Sequence, residues 1–298
     1  MDSVTHAFFI AAILVYIGQP ELILFGVMGA VMIDSDILYS KISDRSPALY
    51  VFTHGGFTHS LAGVLVVGGA TSAGILLVAA TGLVPALTVA GISTAAIGAV
   101  FLGSFTHVAL DFLAYPGIPV LYPVTDRKYT LGVFAGPSPV MMVVSWVYLI
   151  LLVTGAATLA ALSLWFGIFL FVVAVFSVLK IYMAITLKGE SIPTFNPFRW
   201  YEIQETDDSF IFRCIALLRG SCGEKKFVKS RDVPARDVAR SAHDPEVKRL
   251  RYYSYFTTAE RDGDAIVIRD PLRDEGIIFY PPSYKKIRLE GKREGKES

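Results

Sequence analysis

Basic residues are scarce over the first 188 positions of this 298-residue chain, where only Lys41, Arg45, Arg127, Lys128, Lys180 and Lys188 occur. With a net charge of +1 there is no basic surface to follow a phosphate backbone, so nucleic acid finds no support as a partner. Cysteine is almost absent. Cys214 and Cys222 form no C-x-x-C pair, and the expectation is two free thiols in a reducing compartment rather than a disulfide framework. No basic run precedes the first apolar stretch, which already carries His6, so a cleaved leader is not expected and the stretch reads as a retained helix.

What the chain has in excess is apolar length. Hydrophobic residues make up 53% of it, and the mean hydropathy is +0.53. Six apolar segments, at approximately 4–18, 21–38, 60–81, 86–113, 139–160 and 163–187, reach or approach the roughly 20 residues that cross a bilayer. Small residues cluster at 68–74 and 89–99 and allow close helix contact in lipid. The stretch 114–138, rich in Gly, Pro and aromatics, reads as an interfacial or re-entrant loop. The expected fold is mainly α: a polytopic helical membrane bundle of about six helices over 1–188, then a small α+β or β-rich soluble domain over 189–298.

Charge placement orients the chain. With the N-terminus cytoplasmic, all six basic residues fall on or near the inner side, and the outer links 18–21, 82–85 and 161–162 contain no Lys or Arg. The expectation is a multi-pass cell-membrane protein with both termini cytoplasmic. In the tail, Asn196–Tyr201 reads as a connection at the lipid headgroups, with Trp200 and Tyr201 as anchors. Beyond it, Ser209–Leu218, Lys225–Val228, Ala265–Arg269 and Gly276–Tyr280 read as strands and Pro245–Phe256 as a helix.

Four of the five histidines lie in the apolar half, each with polar company. His6 follows Thr5. Asp34 and Asp36 form a D-x-D at the end of segment two. His54 and His59 flank a Gly-Gly turn, with Thr58 and Ser60 beside them. His107 and Asp111 stand four apart, on one helix face. Ionisable groups are costly near lipid and seldom lack a partner or a task there. Imidazole and carboxylate are together the ligand set of a zinc-like divalent metal. In the oriented chain all seven residues fall at the inner ends of four segments, so they are expected to share one metal site.

With these residues on the page, the chain resembles the YdjM-like membrane-bound metal-dependent hydrolases, prokaryotic inner-membrane proteins, over about residues 1–140. The order T-H, D-x-D, H-x-G-x-T-H-S and H-x-x-x-D carries the likeness. It implies that His6, Asp34, Asp36, His54, His59, His107 and Asp111 are the functional positions. A more distant likeness to zinc-dependent phospholipase C suggests phosphoester cleavage. Two positions depart from the family pattern: Gly55 replaces an Arg suited to clamping phosphate, and Ile33 replaces a Pro. Arg127 and Lys128 could supply the missing anion contact.

The expected function is a membrane-embedded hydrolase. One or two divalent ions, zinc first, would be held among these seven residues, with a ligand-free carboxylate, Asp36 or Asp34, as general base. Thr58, Ser60, Arg127 and Lys128 are the candidate substrate contacts. A cytoplasmic site close to lipid favours membrane lipid or another amphiphilic phosphoester as substrate. The rival is a transporter or channel that uses His and Asp to bind a metal or proton; it predicts ionisable groups along the whole path, and segments five and six are nearly bare of them. A bare membrane anchor for the tail would leave the histidines unexplained.

Overall fold

Each apolar segment contains a helix in the computed structural model: α1 (Ser3–Tyr16), α2 (Ile23–Met32), α4 (Leu61–Thr81), α5 (Thr94–Asp111), α6 (Pro139–Val153) and α7 (Leu162–Thr186), with the short α3 (Ser40–Arg45) after α2. The structure describes all residues except 39, 85–87, 89–90, 137, 279–283 and 291–298, and at 40, 42 and 44 it describes the backbone alone. The first residues expected in segment four thus lie partly outside the described residues. Among the described residues, three stretches are long and apolar enough to cross a membrane: Leu61–Thr81, Thr94–Asp111 and Leu159–Thr186. α1 and α6 are apolar but shorter, at 14 and 15 residues.

Side-chain caps start four of these helices where the sequence supplies a small polar residue. Asp2 accepts from the Thr5 amide, Ser60 from Gly63, Ser93 from Ala96 and Ser138 from Met141. α2 and α5 then meet backbone to backbone. A Cβ on Gly29 would stand 1.9 Å from the Val100 carbonyl oxygen, and one on Gly103 would stand 1.9 Å from that of Gly26. Ser104 Oγ donates to the Gly29 carbonyl at 2.9 Å across the same crossing. This is the close small-residue contact that lipid-phase packing rewards. Around it, Ile10, Leu14, Ala30 and Ala99 form one buried cluster, and Ile33, Val64, Val108 and Ile118 another. α1, α6 and α7 are joined by a buried polar chain: Thr5 Oγ1 lies 2.9 Å from Ser145 Oγ, which also accepts from Trp165 Nε1 at 3.2 Å.

The stretch 114–138 folds back on the end of α5. The Leu131 and Val133 amides donate to the Phe112 and Leu113 carbonyls at 2.8 Å, and Ile118 pairs with Tyr129. The Val120 carbonyl also accepts from the Leu61 amide at 3.0 Å, which ties this stretch to the start of α4.

The C-terminal region carries two four-stranded sheets. The first has the order β1-β2-β3-β4, from β1 (Glu190–Pro193), β2 (Arg199–Glu205), β3 (Ser209–Ala216) and β4 (Gly220–Val228). The second has the order β5-β6-β7-β8, from β5 (Ser230–Arg231), β6 (Thr258–Asp262), β7 (Ala265–Arg269) and β8 (Lys286–Leu289). Helices α8 (Ala235–Ser241), α9 (Pro245–Tyr253) and α10 (Pro271–Asp274) accompany them. By contact, one compact unit comprises Met1–Lys41, Val51–Thr186 and Ile192–Pro197, and the other Ile42–Tyr50, Leu187–Ser191 and Phe198–Ser298. Residues 42–50 count with the second unit because they pack on α9: Tyr253 Oη donates to the Tyr50 carbonyl at 3.2 Å, and Tyr50 and Tyr252 make an edge-to-face pair.

Three expectations for this region are corrected. Cys214 and Cys222 are not free thiols but a disulfide. They sit on the neighbouring antiparallel strands β3 and β4, where Cys214 pairs with Gly223 and the register shift after it leaves Cys222 as the adjacent extra residue. Trp200 is not a headgroup anchor: it is 1% exposed, inside the first sheet unit, because strand alternation turns it inward. Gly276–Ile278 form no strand, and residues 279–280 of that expectation lie outside the described residues.

Candidate metal centre

Four separate stretches deliver the seven ligand candidates to one place. His6 comes from the first turn of α1. Asp34 and Asp36 come from a 3₁₀ turn, Ile33–Leu38, that continues α2. His54 and His59 come from the loop before α4, and His107 and Asp111 from the last turns of α5. The α2–α5 crossing sets how the second and fourth of these face each other.

The loop is shaped by its glycines. Gly55 has φ +73°, the left-handed region that glycine tolerates. Gly56 leaves no room for a side chain, since a Cβ would stand 1.8 Å from the Val51 carbonyl oxygen. The loop then closes when the Phe57 amide donates to Val51 at 2.8 Å, and Ser60 begins α4.

At the centre, four ligand atoms converge. His59 Nε2 lies 3.2 Å from His107 Nε2, 3.2 Å from Asp111 Oδ2 and 3.6 Å from Asp34 Oδ1. His107 Nε2 lies 3.4 Å from Asp34 Oδ1 and 3.6 Å from Asp111 Oδ2. Asp111 turns its other oxygen to His6 Nε2 at 3.3 Å, and the His6 and His107 rings stack with centroids 3.6 Å apart. On the opposite side, Asp36 takes His54 Nδ1 at 2.9 Å and lies 3.3 Å from His59 Nδ1. Three overlapping groups can therefore hold a metal ion: His6, His107 and Asp111; Asp34, His59 and His107; Asp36, His54 and His59.

The two carboxylates of the D-x-D differ in surroundings. Asp36 is fully buried. Its Oδ2 also accepts from Thr58 Oγ1 at 2.6 Å and the Gly55 amide at 3.2 Å. Asp34 is part-exposed and, among the described residues outside the histidines, accepts from Ser3 Oγ at 2.6 Å. Ser3 has no motif that would have flagged it; only the fold of α1 against the turn after α2 brings it there.

Burial alone would lower the pKa of the His59 imidazole. Hydrogen bonds to Asp111, Asp34 and Asp36 outweigh burial and hold it well above the ordinary histidine value. The same field of three carboxylates attracts any cation that fits. His6 and His107 are buried; the Nδ1 atom of each has no hydrogen-bond partner, and His6 Nε2 has only the Asp111 carboxylate, 3.3 Å away. Buried imidazoles without partners are costly unless a ligand or ion satisfies them. The residues present thus fit a divalent metal.

The hydroxyls expected at a substrate are used inside the fold instead. Thr58 is buried on Asp36 and lies 3.0 Å from His59 Nδ1. Ser60 is buried as the cap of α4 and also donates to the Phe57 carbonyl at 2.7 Å. Arg127 is exposed, its guanidinium 5.6 Å from the Tyr129 ring centroid. Lys128 is half-buried beside it in sequence.

Apolar helices long enough to cross a bilayer, with a His/Asp cluster able to take a metal gathered from four of the helical segments, define a class: integral membrane proteins with a metal-capable polar centre. The chain belongs to the YdjM inner membrane protein family, whose model matches residues 1–183. No curated protein and no solved structure matches the chain.

Proposed function

We propose that this protein is a multi-pass membrane hydrolase that works with a divalent metal, zinc being the ion the ligands suit best. The observation that carries the reading is the quartet Asp34, His59, His107 and Asp111. A tetrahedral zinc with bonds of about 2.0–2.2 Å has ligand atoms about 3.3–3.6 Å apart. His59 Nε2 and His107 Nε2 stand 3.2–3.6 Å from each other, from Asp34 Oδ1 and from Asp111 Oδ2. A bound divalent ion would supply an acidified water and a Lewis acid for the scissile group.

The chain's own residues divide the remaining work. Asp36 and Thr58 hold His59 by Nδ1 and so direct Nε2 at the quartet, the carboxylate–histidine support that raises ligand basicity. Asp36 has its oxygens engaged and suits this positioning role. Asp34, part-exposed, would serve as general base beside the ion, with His59, His107 and Asp111 as its protein ligands and the fourth position left to water. Asp111 joins the quartet to His6, which leaves a second, less complete ligand group beside the first. His54, 40% exposed, marks the open side where water and substrate enter.

The six apolar helices cross the membrane in this reading, with both termini and the centre on the cytoplasmic side, as the placement of Lys and Arg favours. The transporter alternative gains nothing from the fold, because the polar cluster stands at one end of its helices. Metal analysis of the full-length protein, purified without chelator, is the test. One or more zinc equivalents per chain, and metal-dependent turnover in a phosphoester and lipid-ester screen, are expected. A folded protein that neither retains nor takes up divalent metal overturns the reading.

A further inference from the structure

A groove of about 400 Å³ runs between α2 and α4. On α2 it extends from Leu24 to Met32 and on to Ser35, the residue between Asp34 and Asp36. On α4 it extends from Val66, seven residues after His59, to Val78. The α2 wall therefore starts beside the metal centre and the α4 wall about two turns beyond His59, and both lead away from it. Those twelve residue steps of α4 cover about 18 Å, close to one leaflet of a hydrocarbon core about 30 Å thick. Among the described lining residues only Ser35 and Thr71 carry a polar side chain.

The groove exists for a sequence reason. α2 is pulled onto α5 by the glycine crossing, and α4 presents Ala70 and Gly74 toward α2, which leave the space between them unfilled. A Cβ at Gly74 would meet nothing within 4 Å. A peptide or nucleotide would leave its polar groups unpaired on such walls. A hydrocarbon chain would not, and only at the mouth, where Ser35 adjoins Asp34 and Asp36, does the chemistry become polar.

We infer that this groove seats the hydrocarbon chain of a lipid whose hydrolysable head group lies at the Asp34, His59, His107 and Asp111 centre. The inference rests on the metal-hydrolase reading for the fate of the head group, while the seat for the chain rests on the groove alone. It narrows the substrate class to long-chain lipids, recognised through the tail as well as the head.

The test uses the full-length protein in detergent and hexadecyl phosphate carrying a photoreactive diazirine at the end of its chain. Cross-links are expected on 24–28 of α2 and 75–78 of α4. Gly74→Phe fills the open side, and Ala70→Leu does so with a smaller side chain. Each should reduce those cross-links at least ten-fold with metal content equal to the unaltered protein, which also reports that the fold is intact. Cross-links scattered over α6 and α7 and unchanged in both variants overturn the seat. So does a probe excluded because two copies of the chain pack through this face. A metal-loaded protein whose groove stays unlabelled refutes the seat alone. Groove labelling in a folded chain that binds no metal supports the seat and refutes the hydrolase.

Discussion

Asp34, Asp36 and Asp111 are chemically alike, yet their neighbours differ, and the proposed site gives them three different tasks. Asp111 faces two histidines with one oxygen and His6 with the other, so its loss opens the coordination shell. His107→Ala and Asp111→Ala should each abolish metal retention, whereas His243→Ala, an exposed residue before α9, should leave it unchanged. Size-exclusion profiles come first, because removing a buried polar partner also destabilises a fold. Full metal stoichiometry in well-folded His107→Ala would sink the site. Asp36→Asn should act differently. It keeps the shape but weakens the support of His54 and His59, so metal should still bind with an affinity lower by roughly 10–100-fold. A competitive chelator titration measures this. Protons compete for the same imidazoles and carboxylates, so metal should be released as pH falls and retained as it rises. Equal retention at pH 5 and pH 8 would argue against histidine ligation.

The pairing of α2 with α5 is the element on which the centre depends. It carries the D-x-D turn to the face of His107 and Asp111, and it tolerates no Cβ at Gly29 or Gly103. Gly103→Ala should therefore cost about 1–3 kcal/mol through overpacking and loosen metal binding, although Gly103 touches no ligand. Thermal unfolding followed by metal analysis at a permissive temperature checks both effects. A variant with unchanged stability would show that the helices do not cross this closely. The apolar periods of both segments were plain in the sequence, and the motif D-x-D with H-x-x-x-D was too. Which glycines touch was not, since several small residues line each helix and only the crossing angle selects among them.

For the whole molecule, the open question is its orientation. With the 39–53 loop and the tail cytoplasmic, as proposed, a cysteine introduced at Ser46 should resist membrane-impermeant maleimide applied from outside and react once cells are opened. Reaction from outside alone would reverse the topology. The Cys214–Cys222 pair offers an independent reading of the same question. Disulfides persist in oxidising compartments and are held reduced in most cytoplasms. In a cytoplasmic tail, acid-trapped cells should yield both cysteines alkylated, with the bond forming during aerobic purification. Complete protection from alkylation in intact cells would place the tail on the oxidising side.

Sequence alone determined that this is a membrane chain with helices at six apolar stretches, and that its ionisable residues there are of the kinds that can bind a metal. Both follow from local physics: a run of apolar residues makes a helix in lipid wherever it is, and His or Asp in such a run needs a partner. It also located the strands Ser209–Ala216 and Ala265–Arg269 and the helix at Pro245, whose alternation and proline start are local signals. Tertiary structure alone decided that Asp36 supports while Asp34 and Asp111 face the centre, and that Thr58 and Ser60 serve the fold. It also decided that Ser3 reaches Asp34, that the cysteines of two consecutive strands meet across a bulge, and that α2 and α4 leave a groove. Each of these depends on how two elements meet, which is set by backbone contact at a few glycines and by strand register, and no pattern read along one segment contains it.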